Sequence, residues 1–154
     1  MRFILAALCI VSLLTGAPVT AQAPIPPVLQ VAGPATPGAI VGINLADAAP
    51  AALGIVAYGY TPGQRKIGSY ATLGILPAGF MILGTVSSQG TLYSGLQVPE
   101  QLPAVLHGMT IYFQGLILRL AFENDDLRVI VDTTEVQSIV LQSETDPWGV
   151  VGDV

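Results

Sequence analysis

This chain has almost no thiol or imidazole to work with. Cys9 is its one cysteine and His107 its one histidine, which argues against disulfide staples, thiol chemistry and zinc sites drawn from His and Cys. A Ser-His-Asp relay would have to use His107, and no serine stands in a Gly-x-Ser-x-Gly elbow. Beside Gly108, the His107 ring is better suited to the exposed carbonyls of a helix end or turn. Positive charge is also scarce. Apart from Arg2 there are only Arg65, Lys66, Arg119 and Arg128, set against ten acidic residues. No basic patch can form, which argues against nucleic acid and anionic membrane surfaces as partners.

Long apolar runs are missing as well, although hydrophobic residues make up 52 % of the chain and charged ones 10 %. Asn44, Asp47 and Pro50 interrupt the stretch from Gly38 to Tyr60, and Pro77 interrupts that from Leu73 to Val86. Neither reaches the ~20 uninterrupted apolar residues of a membrane-spanning helix.

What is present begins with an address. Met1-Arg2 gives a positive start, Phe3 to Leu14 is apolar, Thr15-Gly16-Ala17-Pro18 breaks the run, and Ala21-Gln22-Ala23 is a small-x-small cleavage site. That order of parts predicts a secretory signal peptide over 1–23, too short to cross a bilayer core of roughly 30 Å as a helix. Cys9 follows Leu8 rather than a small residue, which argues against acylation there. The expected mature chain starts near Pro24, is secreted to the periplasm or the exterior, and is the size of one ordinary domain.

From Pro24 to Pro37 the chain has five prolines and no charge. It reads as a proline-rich leader with room for one short edge strand at Val28 to Val31. Residues 38–142 then alternate short apolar runs with Gly, Pro, Asn and Asp punctuation. Strands are predicted at Ala39–Leu45, Leu53–Tyr60, Ile67–Leu76, Phe80–Val86, Thr91–Val98, Met109–Glu123, Leu127–Asp132 and Val136–Leu141. No long amphipathic helix interrupts them. This pattern predicts an all-β, antiparallel Greek-key β-sandwich of about 7–8 short strands. Residues 143–154 form an acidic tail that carries Trp148, the only tryptophan.

Two strands can be read side chain by side chain. Leu92, Leu96 and Val98 point inward and Tyr93 and Gln97 outward, and Glu100 to His107 then has room for one or two helical turns stopped by Gly108. Met109, Ile111 and Phe113 face the core, with Thr110, Tyr112 and Gln114 on the other face. After Gly115 the apolar parity reverses to Leu116, Leu118, Leu120 and Phe122. That predicts a bulge or bend near Gln114-Gly115. A two-residue turn at Asn124-Asp125 would pair Phe122 with Leu127, Leu120 with Val129 and Leu118 with Val131, leaving Arg119, Arg128 and Asp132 outside.

These residues carry a resemblance. Leu96-Gln97-Val98-Pro99, Leu102-Pro103-Ala104, Leu106, Gly108 and Ile111-Tyr112-Phe113-Gln114 make a Val-Pro … Gly-x-x-x-Tyr-x-Gln pattern. It resembles a small β-sandwich domain found in uncharacterised secreted bacterial proteins. The good match covers Gly90 to Leu118, with weaker similarity from Gly38 to Leu141. The resemblance implies a small β-sandwich and no activity. This chain departs from it in having a tight Asn124-Asp125 turn where a longer polar loop is usual.

Three constellations offer chemistry. Glu123, Asp125 and Asp126 cluster at the hairpin turn as a calcium candidate, although the spacing and glycine of an EF-hand loop are absent; the simpler reading is an acidic tip that discourages edge pairing. Tyr93, Tyr112 and Gln114 offer an aromatic and hydrogen-bonding strip for a glycan, or, for Tyr112 and Gln114, packing under a loop and satisfaction of backbone groups at the bulge. The proline-rich leader and the tail, with Trp148-Gly149-Val150-Val151, could each add a strand to a neighbour's sheet. No cofactor is implied. The function expected is a non-enzymatic structural or interaction role, by self-association or with other extracellular proteins. The alternatives are a subunit of a self-assembling fibre or layer and a carbohydrate-binding module.

Overall fold

Alternation at a period of two builds the inner faces of the sheets. The computed structural model describes residues 25–123 and 126–143, so the expected signal peptide and all of the tail but Ser143 lie outside the described residues. Among the described residues nine strands form: β1 (Val28–Ala32), β2 (Ile40–Ala46), β3 (Leu53–Gly59), β4 (Thr61–Ile67), β5 (Ala71–Leu76), β6 (Gly79–Thr85), β7 (Leu92–Gln97), β8 (Thr110–Glu123) and β9 (Asp126–Val140). One 3₁₀ turn, Ala104–Leu106, lies in the crossover from β7 to β8. All pairings are antiparallel.

Strands order as β1-β2-β7 in one sheet, β6-β3-β8-β9 in a second and β4-β5 in a third. The chain thus changes sheet between β2 and β3, between β6 and β7, and between β7 and β8, so neither main sheet is a simple meander. The all-β antiparallel sandwich expected from the sequence is the observed fold. Leu29 from β1, Ile43 and Leu45 from β2, Val56 from β3, and Phe113 and Ile117 from β8 form the buried core between the main sheets. A second cluster joins Ala35, Val41, Val98 and Leu141. The proline-rich leader is therefore part of the fold: Leu29 is 2 % exposed, and β1 pairs with β2 from Gly42 to Ala46.

The third sheet is where the observed chain departs from the sequence reading. A single strand over Ile67–Leu76 is not observed. Gly68 takes a φ of +54°, which glycine adopts without the penalty a Cβ would bring, and Tyr70 donates its amide to the Ile67 carbonyl. The chain therefore reverses there, and β4 pairs back on β5. β4 and β5 continue the β3-β6 hairpin past Gly59 and Ala78, whose amide donates to the Tyr58 carbonyl. This distal half folds over the outer face of the second sheet, where Leu73 and Ile75 are buried against Ala57 and Leu116. At the bend, a Cβ on Gly59 would collide with the Leu76 carbonyl oxygen.

That cover explains β8. No parity reversal occurs in it: β8 runs unbroken against β3 from Tyr112 to Leu118. Ile111, Phe113 and Ile117 face the main core, while Tyr112, Leu116 and Leu118 face the third cluster under β5. Both faces are apolar because both are covered. The irregularity lies on the partner strand instead, where Thr134 and Glu135 together oppose Gly115. Two strands at Leu127–Asp132 and Val136–Leu141 are accordingly one continuous β9 with a bulge in its middle. A bulge shifts the side-chain phase without ending the ladder.

Candidate functional site

Of the three residues proposed for a glycan strip, Gln114 is fully committed within the fold. It is 5 % exposed. Its Oε1 accepts the Gly74 amide at 2.8 Å and its Nε2 donates to the Thr134 carbonyl at 2.8 Å. One carboxamide thereby ties β5 to β8 and β9 and satisfies groups that would be costly to bury unpaired. Tyr112 packs beside it in the third cluster. Tyr93 is 70 % exposed on the outer face of the other sheet, its ring across Gly42. The structure brings Tyr112 and Gln114 together and leaves Tyr93 on the opposite side of the sandwich, so the three do not make one site.

At the hairpin tip, Glu123 ends β8 and Asp126 begins β9, and the two are cross-strand partners; Asp125 lies outside the described residues. Among the described residues no group of three or more His, Cys, Asp and Glu side chains gathers to hold a metal ion. His107 follows the 3₁₀ turn as its C-terminal cap and donates its amide to the Ala104 carbonyl. Its side chain is exposed.

Arg119 and Asp132 face each other across the hairpin, Nε to Oδ2 at 3.1 Å. They line a cleft of about 520 Å³ with Asp47, Ile25 and Pro26. The guanidinium already meets a carboxylate there, and a second carboxylate stands in the same cleft, so the cleft does not favour an anion.

The feature that stands apart is apolar. Register across the hairpin pairs Leu118 with Val131, Leu120 with Val129 and Phe122 with Leu127, as the sequence predicts. Leu118 and Val131 are sheltered by the third cluster. Beyond them the cover ends, and Leu120 is 68 %, Phe122 80 % and Leu127 56 % exposed. Across the sheet the same outer face continues through Leu53, paired with Leu118, and through Ile55, paired with Ile82. Ile82 is 72 % exposed and Phe80, on the same edge strand, is also exposed. The sequence supplies the pairs, because alternation and turn length set register. It does not say where β4-β5 stops, so it could not tell a covered pair from a bare one.

No family model matches this chain. A search of curated proteins finds no significant match either.

Proposed function

We propose that the chain is a secreted, non-enzymatic β-sandwich with an interaction role outside the cytoplasm. The observation that supports this reading is the bare apolar strip Leu120, Phe122, Leu127 and Val129. Contiguous exposed apolar surface of this kind, bordered by charge, marks contact sites in soluble proteins. Its border in the sequence is acidic: Glu123 ends β8, Asp126 begins β9, and Asp125 lies between them in the chain. That favours a protein surface over an anionic bilayer, which would repel the tip before the strip could reach it. No helix among the described residues is long and apolar enough to cross a membrane.

A second reading, a self-assembling extracellular subunit, draws support from β6. It is an edge strand of the second sheet, and its sequence Gly-Phe-Met-Ile-Leu-Gly-Thr carries no charge and no proline. Such an edge is a template for strand addition.

Light scattering after size exclusion, over a concentration series of the chain from Pro24, tests both. Association lost in Phe122→Ser supports contact through the strip. Association lost in Ile82→Lys but kept in Phe122→Ser supports assembly through the β6 edge. A monomer at every concentration, matched by both variants, would overturn both forms of self-contact. The secretion component is tested separately, by the intact mass of exported protein, which should begin at Pro24.

A further inference from the structure

Between the two main sheets, where β7 runs into the Pro99–Gly108 connector, lies a cavity of about 360 Å³. It sits at the seam of the two interior clusters. Met81 and Leu96 on its wall pack against the main core, Leu106 and Met109 against the second cluster, and Ile111 and Ile139 against both. It opens to solvent past the exposed Tyr60, Gln97 and Pro99, while its floor reaches the buried Phe113 and Leu141. Its volume falls within the roughly 300–1,000 Å³ of small-molecule sites.

The lining sets the chemistry of what would fill it. Among the described residues that line it there is no Asp, Glu, Lys, Arg or His, so a charged ligand would lose water without a described charge to compensate it. The wall is aliphatic with two methionines, side chains that adjust to irregular apolar shapes. Polar atoms come from Tyr58, Tyr60 and Gln97. Tyr60 and Gln97 are exposed, which places them at the mouth, and Tyr58 is half-buried. The Tyr58 hydroxyl lies against Gly79, where any side chain would collide with it. None of these three side chains forms a hydrogen bond to another described residue.

From this arrangement we infer that the cavity is a binding site for a neutral, largely aliphatic small molecule with one hydrogen-bonding end. The chain of the ligand lies between the sheets against Met81, Met109 and Ile111. Its alcohol, amide or ester end meets the Tyr58 and Tyr60 hydroxyls at the mouth. This site is separate from the outer apolar strip, and neither depends on the other.

The chain's own methionines read the site directly. Met1, Met81 and Met109 are its three, and Met1 lies within the expected signal, so the protein from Pro24 gives two methyl signals, both from the cavity wall. Titrating methyl-labelled protein with decan-1-ol should move both signals saturably and raise the thermal midpoint, since a ligand bound only by the native state stabilises it. Decanoate, of equal length but charged, should bind at least tenfold more weakly. Leu96→Trp, which fills the cavity, should abolish the alcohol's effect. Should that variant not fold, Tyr58→Phe keeps the packing and removes one anchor, and should weaken the alcohol several-fold. Unmoved methyl signals at saturating alcohol would overturn the proposal. Equal binding of alcohol and carboxylate would overturn its assignment to a neutral ligand. Binding seen only after removal of residues 144–154 would overturn it too, by giving the cavity to the chain's own C-terminal end.

Discussion

Gln114 and Thr134 lock the bulge of the long hairpin from both strands. The Gln114 carboxamide donates to the Thr134 carbonyl at 2.8 Å, and the Thr134 hydroxyl accepts the Gly115 amide at 2.9 Å while donating to the Glu135 carbonyl. Gln114 takes its part under β5 at Gly74, while the Thr134 side chain lies on the inner face beside Gly115 and Leu45, and both residues are buried. Replacing Gln114 by Leu should orphan the Gly74 amide and the Thr134 carbonyl and cost about 2–4 kcal/mol. Thr134→Val should cost about 1–3 kcal/mol by leaving the Gly115 amide without an acceptor. Urea unfolding of each variant measures both losses.

Tyr112 and Tyr93 should separate cleanly. Tyr112→Ala opens a gap in the third cluster and should lower stability by about 2–4 kcal/mol. Tyr93→Ala removes an exposed ring from the opposite face and should stay within about 0.5–1 kcal/mol of the parent. Thermal unfolding of the two variants side by side decides the matter. Equal, small losses would mean that Tyr112 is not packed as described.

At the bend between β3 and β4, Gly59→Ala puts a methyl into the Leu76 carbonyl, which is backbone and cannot step aside. The expected result is a loss of at least about 2 kcal/mol, with proteolytic cleavage of β4-β5 appearing before global unfolding. Limited proteolysis followed by mass spectrometry would locate the first cut.

The leader carries a prediction of its own. Leu29 and Val31 pack into the main core and Ala35 into the second cluster. Leu29→Ala should cost about 2–5 kcal/mol, and a chain starting at Gly38 should show no cooperative unfolding transition. A folded domain from Gly38 onward would show that β1 is dispensable.

Arg119 and Asp132 illustrate a weaker tie. Their side chains are 41 % and 39 % exposed, so solvent screens the attraction. Asp132→Asn should change stability by less than about 1 kcal/mol, and less still at high salt.

Much of this fold can be read from the chain before any coordinates. Alternation in Val41, Ile43 and Leu45 marks β2, and the pairing of Phe122 with Leu127 follows from turn length alone. The phase change around the middle of β8 and β9 is also visible, but its placement is not. Leu116 and Leu118 look like a reversal within β8 until β4-β5 supplies a second apolar layer for them to face. That layer depends on Gly59 and Gly68, whose roles come from backbone conformation and close approach, neither of which has a side-chain pattern. The site residues follow the same division. Gln114 reads equally as a glycan contact or as a group that satisfies the backbone at the bulge, and only the position of Gly74, forty residues upstream, shows which backbone amide its carboxamide accepts. Leu120 and Ile82 look like ordinary strand residues because exposure is a property of what lies above them.

The sheet order has a consequence in time. The β8-β9 hairpin joins neighbours in the chain and can form early, within microseconds for elements of this kind. By contrast β2 cannot find β7, nor β3 find β8, until the whole stretch between them has been made and brought round. Chains dominated by such distant pairings fold slowly. The earliest structured species should therefore be local hairpins, β4-β5 and β8-β9 among them, and until β3 and β5 dock, the two apolar flanks of β8 stand open together. Because β8 and β9 are the last strands to be made, that ribbon is the final apolar surface of the chain to find its cover.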